Sequence, residues 1–168
     1  NHGWLQAAHS FSFAQYYDPT KVHFGQLRVL NDDIVAPTMG FGMHGHDNME
    51  IVTIPHTGAL AHKDSSGGNG IIKAGDVQIM SAGSGVEHSE FNESKTEAVN
   101  LFQLWVFPKE KNIKPRYEQL TFSAADRINK FQTVVAPDND NAVWINQDAW
   151  FSLGDFDASQ TQTYNLHK

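Results

Sequence analysis

The chain has no cysteine among its 168 residues. Disulfides, thiolate zinc sites and cysteine nucleophiles are therefore excluded, and any metal must be held through nitrogen and oxygen. The same absence favours the cytoplasm, where disulfides are rare. Positive charge is also short: 12 basic residues stand against 19 acidic ones, for a net charge of −7. A nucleic-acid surface has the opposite balance, so no direct nucleic-acid partner is expected. No apolar run has the length of a membrane span or the form of a signal-peptide core, so no membrane partner is expected either. A phosphate-binding glycine loop is missing, because GGNG at 67–70 lacks the lysine and helix that would support one, and no serine sits in a nucleophile elbow. An initial methionine is missing too: the chain opens at NHGWLQAAHSFSF, so a preceding segment is expected.

What is present suits an all-β protein. Hydrophobic content of 40% with 18% charge is that of a soluble globular chain, and 13 glycines with 11 phenylalanines and 4 tryptophans fit strands joined by tight turns. Strand patterns run over Val22–Leu30, Met49–Pro55, Ile71–Ile72, Val77–Met80 and Val99–Phe107. The last is a near-continuous apolar run and predicts burial on both faces. DSSGGNG at 64–70 and SAGSG at 81–85 are turns. Strands separated in this way predict a sandwich or barrel. One short helix is expected over Ser123–Asn129, capped by Ser123. The polar, proline-bounded stretch PKEKNIKP at 108–115 marks a boundary. It divides the chain into residues 1–118 and 119–168, the second with strand-like segments at Phe131–Val135, Ala142–Ile145, Trp150–Leu153 and Thr163–Leu166.

The chemistry gathers around histidine, of which there are nine. In HGHDNME at 44–50, His44 and His46 are two apart. On a strand both imidazoles point to one side, and Glu50 shares their parity if the strand runs on. In VEHSEFN at 86–92, His88 and Glu90 repeat the spacing. A lone histidine pair in a glycine-rich loop is more often solvated than ligating. Two such pairs at strand spacing favour a metal, with three imidazoles and one carboxylate suiting Fe(II), Mn, Co, Ni, Cu or Zn. Spacing does not choose between Glu50 and Glu90.

Other residues have plainer readings. His56 and His62 flank a turn and are expected at the surface, with an inconsequential His62–Asp64 pair. Of His2, His9 and His23, one could reach the pocket. Phe11, Phe13, Tyr16, Tyr17 and Phe24 are expected as barrel core and lid, or as the wall of a cavity for a flat aromatic. Phe41 and Met43 are expected at the pocket mouth, and Trp105 in the core.

The stretch from His44 to Asn92, the opening NHGWLQAAHSFSFAQYYDP and the later VNLFQLWVFPKEKNIKPRYEQ together resemble the pirin family of the cupin superfamily. The resemblance covers roughly residues 2–120 and implies a cupin double-stranded β-barrel of jelly-roll type. Pirins are bicupins, so residues 1–118 would form the metal-binding barrel and 119–168 the start of a second, incomplete here. Carried onto this chain, the ligands are His44, His46, His88 and Glu90, with Glu50 a neighbour. Gly45 departs from the family, which usually has proline there; a less rigid ligand strand is expected.

The resemblance implies a quercetin 2,3-dioxygenase-like enzyme. One divalent transition metal, Fe(II) in the first place, would bind a flavonol-like substrate and O2. Glu90 would take the proton of the 3-hydroxyl, and the ring would open with loss of carbon monoxide. The alternative is an iron-binding regulatory protein whose metal sets the surface that a protein partner reads. A large apolar cavity open to the metal would favour catalysis.

Overall fold

A computed structural model describes residues 3–167. Among the described residues, thirteen strands form three sheets: β1 (Leu5–His9), β2 (Leu27–Val35), β3 (Gly40–His46), β4 (Glu50–Thr57), β5 (Ala59–Asp64), β6 (Asn69–Lys73), β7 (Asp76–Ser81), β8 (Val86–Asn92), β9 (Val99–Val106), β10 (Arg116–Thr121), β11 (Gln132–Ala136), β12 (Val143–Trp144) and β13 (Phe151–Leu153). The largest sheet has the order β1-β2-β9-β4-β7-β10, the second β3-β8-β5-β6 and the third β12-β11-β13. Pairing is antiparallel except between β11 and β12. This is the cupin arrangement of two facing sheets, and Glu90 of β8 in one sheet accepts hydrogen bonds from Thr53 of β4 and Gln103 of β9 in the other.

Strand alternation gives the six-stranded sheet two distinct faces. Outward, Val52, Val77, Ile79, Leu104 and Val106 pack on Val134, Val135, Val143 and Ile145 of the C-terminal segment. Inward, Ile51 and Met80 pack with Val86, and Leu101 and Val35 with Leu60. The double burial expected of β9 holds only in part: Leu101 packs inward and Leu104 and Val106 pack on the C-terminal segment, but Phe102 on the outer face is exposed. Gly58 (φ +75°) turns β4 into β5, where a Cβ would press on Val99 at 3.1 Å. Gly40 packs so closely on β8 that a Cβ would collide with the Glu90 carbonyl.

Some expectations shift. The strand predicted over Val22–Leu30 begins only at Leu27, because Gly25 (φ +54°) reverses the chain and Phe24 pairs with Leu27 across it. The helix at Ser123–Asn129 is one 3-10 turn, Ala124–Arg127, with Ser123 accepting from the Ala125 amide. Thr163–Leu166 is not a strand: it joins none of the sheets, and Leu166 is exposed. Strands β1, β5 and β10 add to those expected. Among the described residues, no helix is long and apolar enough to cross a membrane.

Candidate metal centre

Strands β3 and β8 pair with His44 opposite His88. Alternation turns His44 and His46 to one side, and the register brings His88 to the same side. The rings stand 4.4 Å (His44–His88), 4.8 Å (His44–His46) and 4.9 Å (His46–His88) apart. One nitrogen from each lies within 4.8 Å of the others. His44 Nδ1 donates to the Gly42 carbonyl at 2.7 Å, which leaves its Nε2 lone pair free to ligate. His46 Nε2 and His88 Nε2 approach to 3.0 Å. Burial, reinforced by the neighbouring His44, pushes His46 down to about 4 and His88 down to about 3. Both are therefore neutral at neutral pH, the form in which imidazole binds metal. Three ring nitrogens converging on one point fit a transition-metal ion.

Glu90 follows His88 on the same face of β8, and its carboxylate groups with His62 and His88. Thr53 Oγ1 donates to Oε1 at 3.3 Å and Gln103 Nε2 to Oε2 at 2.8 Å. Gln103 is held in turn by Trp105 Nε1, which donates to its Oε1 at 3.3 Å. Burial raises the Glu90 pKa against the opposing effect of His62, these donors and His44. Glu50 lies elsewhere. The strand does not run on from His46; the chain turns through Asn48 (φ 45°) and begins β4 in the other sheet. Glu50 Oε2 accepts there from Ser81 Oγ at 2.8 Å and the Asn146 amide at 3.1 Å.

His62 overturns its surface expectation. It is 3% exposed, its ring is 5.4 Å from His88 and 4.8 Å from Tyr117, and its Nε2 meets Asp64 Oδ2 at 2.8 Å. Burial acts to raise the Asp64 pKa, but hydrogen bonds from His62, Ser66 and Gly68 outweigh it and hold the carboxyl below its usual value. The signal was the alternation in ALAHKD, where Leu60, His62 and Asp64 share the buried parity. His56 is exposed as expected. His23 is exposed, with Nδ1 donating to the Gly25 carbonyl, and His2 lies outside the described residues.

A cavity of about 290 Å³ opens beside the cluster and reaches His44 and Glu90. Phe13, Phe41 and Trp105 give it an aromatic wall, and His9 also lines it. Trp105 packs at the edge of the Ile51–Met80 core and also forms cavity wall: its ring stands edge-on to His46 at 4.8 Å and to Phe13 at 5.3 Å. Met43, Tyr17 and Phe24 point to solvent. Two lining residues, Asn31 and Asp33, had no place in the sequence reading. The carboxyl of Asp33 is pushed up to about 7 by burial, then by Asp32 and Glu90. Their signal was polar residues at the inward parity of LRVLNDDIV, between Val29 and Val35.

Comparison with known proteins adds to this geometry. A family model described as Pirin matches residues 1–106, and one described as Quercetinase C-terminal cupin domain matches residues 133–168. The chain is 48% identical over 149 residues to a protein of Escherichia coli K12 named quercetin 2,3-dioxygenase, covering 88% of this chain and 63% of the relative. It is 44% identical over 170 residues to a pirin-like protein of Caulobacter vibrioides, covering 100% of this chain and 73% of that one. The crystal structure of the bacterial pirin YhhW in complex with nickel(II), from Escherichia coli, matches with a TM-score of 0.82 at 47% identity, over 88% of this chain and 63% of that one. The chain therefore spans less than two thirds of the length of its Escherichia coli relative.

Proposed function

Because this chain belongs to the pirin family, we propose that it is a metal-dependent dioxygenase acting with O2 on a flavonol-like aromatic. His44, His46, His88 and Glu90 hold one divalent transition metal, Fe(II) being the first choice. Residues 1–118 are the metal-binding unit, and 119–168 belong to a second cupin unit whose strands β11–β13 cover the outer face of the first. The observation that carries the reading is the cluster of His44, His46 and His88, adjoined through His88 by Glu90, with His44 and Glu90 on the wall of an aromatic-lined cavity. The names of the relatives quercetin 2,3-dioxygenase and nickel-bound pirin support it.

The bound metal supplies Lewis-acid polarisation and an open coordination position. The chain supplies the rest. Phe13, Phe41 and Trp105 seat a flat ring and exclude water from it. Glu90 takes the hydroxyl proton of the substrate at a carboxylate oxygen. Thr53 and Gln103 keep that carboxylate aimed. A purely regulatory metal would need no such cavity at His44 and Glu90, so the opening favours catalysis.

Oxygen uptake by the Fe(II)-loaded protein with quercetin tests the proposal, alongside His44→Ala. Uptake in the wild type that disappears in the variant, together with lower iron retention, is expected. Stoichiometric iron with no uptake on any flavonol would overturn the dioxygenase reading and leave the metal site standing.

A further inference from the structure

The cavity has polar lining residues that the metal cluster does not use. On β2, Val29, Asn31, Asp33 and Val35 share the inward parity and are 1%, 1%, 3% and 0% exposed. Two of these four positions, where the pattern calls for valine, carry an amide and a carboxyl. Both residues line the cavity, and neither Asn31 Oδ1 nor Asp33 Oδ1 has a hydrogen-bond partner. A buried acceptor without a donor is costly unless something else supplies one. The neighbouring donors are committed elsewhere: Gln103 Nε2 to Glu90, and Trp105 Nε1 to Gln103 Oε1. The register sets Asn31 beside both Gln103 and His9, which places these acceptors on the same inner surface as the Glu90 support.

The geometry points to Asn31 and Asp33 as the specificity-determining acceptors of the cavity, taking hydrogen bonds from the ring hydroxyls of a polyhydroxylated aromatic whose opposite end reaches the metal. This inference rests on the flavonol reading above and deepens it. The aromatic middle of the cavity accepts a flat ring, and the two orphaned oxygens accept its hydroxyl protons. Ring methyl ethers are disfavoured because they bring no proton.

Calorimetric titration of the nickel(II)-loaded protein without oxygen tests this directly. The probes are quercetin, with two hydroxyls on its outer ring, and the analogue lacking both. The wild type should bind quercetin about tenfold or more tightly than the analogue, as one or two buried hydrogen bonds allow. Asn31→Leu and Asp33→Leu should each erode that ratio while leaving nickel content and the affinity for the analogue unchanged. A crystal structure of the nickel-loaded wild type with quercetin gives a second reading that needs no variant: an outer-ring hydroxyl oxygen should lie within about 3 Å of Asn31 or Asp33. A wild-type preference that survives in both variants, or a ligand seated with that ring elsewhere, overturns the inference even if oxygen uptake is observed. Discrimination that the variants abolish, in a protein that consumes no oxygen, upholds it and sinks only the dioxygenase step. Binding of neither probe overturns it.

Discussion

Burial keeps Asp33 protonated to an unusually high pH, and this fixes a sign for stability. Its carboxyl titrates at about 7 in the folded chain against 3.8 when free. Between those values the unfolded chain has lost a proton that the native chain keeps, so stability from this residue is fully present below 3.8 and is lost as pH rises through 7. Urea midpoints of the metal-free protein should therefore fall over that window, and Asp33→Asn should flatten the fall. Gln103 offers a second test. Gln103→Leu leaves Glu90 Oε2 buried without its closer donor, which should cost about 1–3 kcal/mol in urea unfolding. It should also weaken metal binding roughly 10- to 100-fold in a competition titration with a chelator, since the carboxylate is no longer aimed. The clustering of His44, His46 and His88 was legible in the sequence because strand parity is a local property, whereas parity left Glu50 and Glu90 open and only the pirin resemblance chose between them. Asp33, Asn31 and His62 were not legible: a polar residue on a strand reads as solvent-facing until the second sheet is known to cover it.

The critical element is β3, a glycine-rich strand that carries two histidines to the register of β8. Gly40 lets the two backbones approach, and Gly40→Val should push β3 away. Metal content after gel filtration should then fall to background even where the rest of the fold survives. Gly45 asks for nothing comparable. A Cβ there meets only Glu87 and Val86, at 3.9 Å, so Gly45→Ala should stabilise the chain by about 0.4–1 kcal/mol by restricting the unfolded state, read from the urea midpoint. The main strands were legible at this scale, because apolar runs alternate with glycine turns. The errors fell where a turn hid inside a strand-like run, as at Gly25, or where a run such as Thr163–Leu166 has no neighbour to pair with.

Across the whole molecule, the six-stranded sheet has no solvent face of its own around Val52 and Ile79. Its outer residues form one core with Val134, Val143 and Ile145 from beyond the polar stretch at 108–115. A sequence boundary is therefore not a boundary in packing. Ile145→Ala should destabilise the chain by about 2–5 kcal/mol. Backbone circular dichroism and metal release should then shift together along the urea axis, whereas an independent second unit would shift alone.

The edge-on contact of Trp105 with His46 has one more consequence. An indole 4.8 Å from the His46 ring is a built-in lamp beside the proposed site. An open-shell ion arriving at that imidazole should dim its emission, and a chelator should restore it. The filling and emptying of the centre could then be followed in a cuvette, without label or substrate.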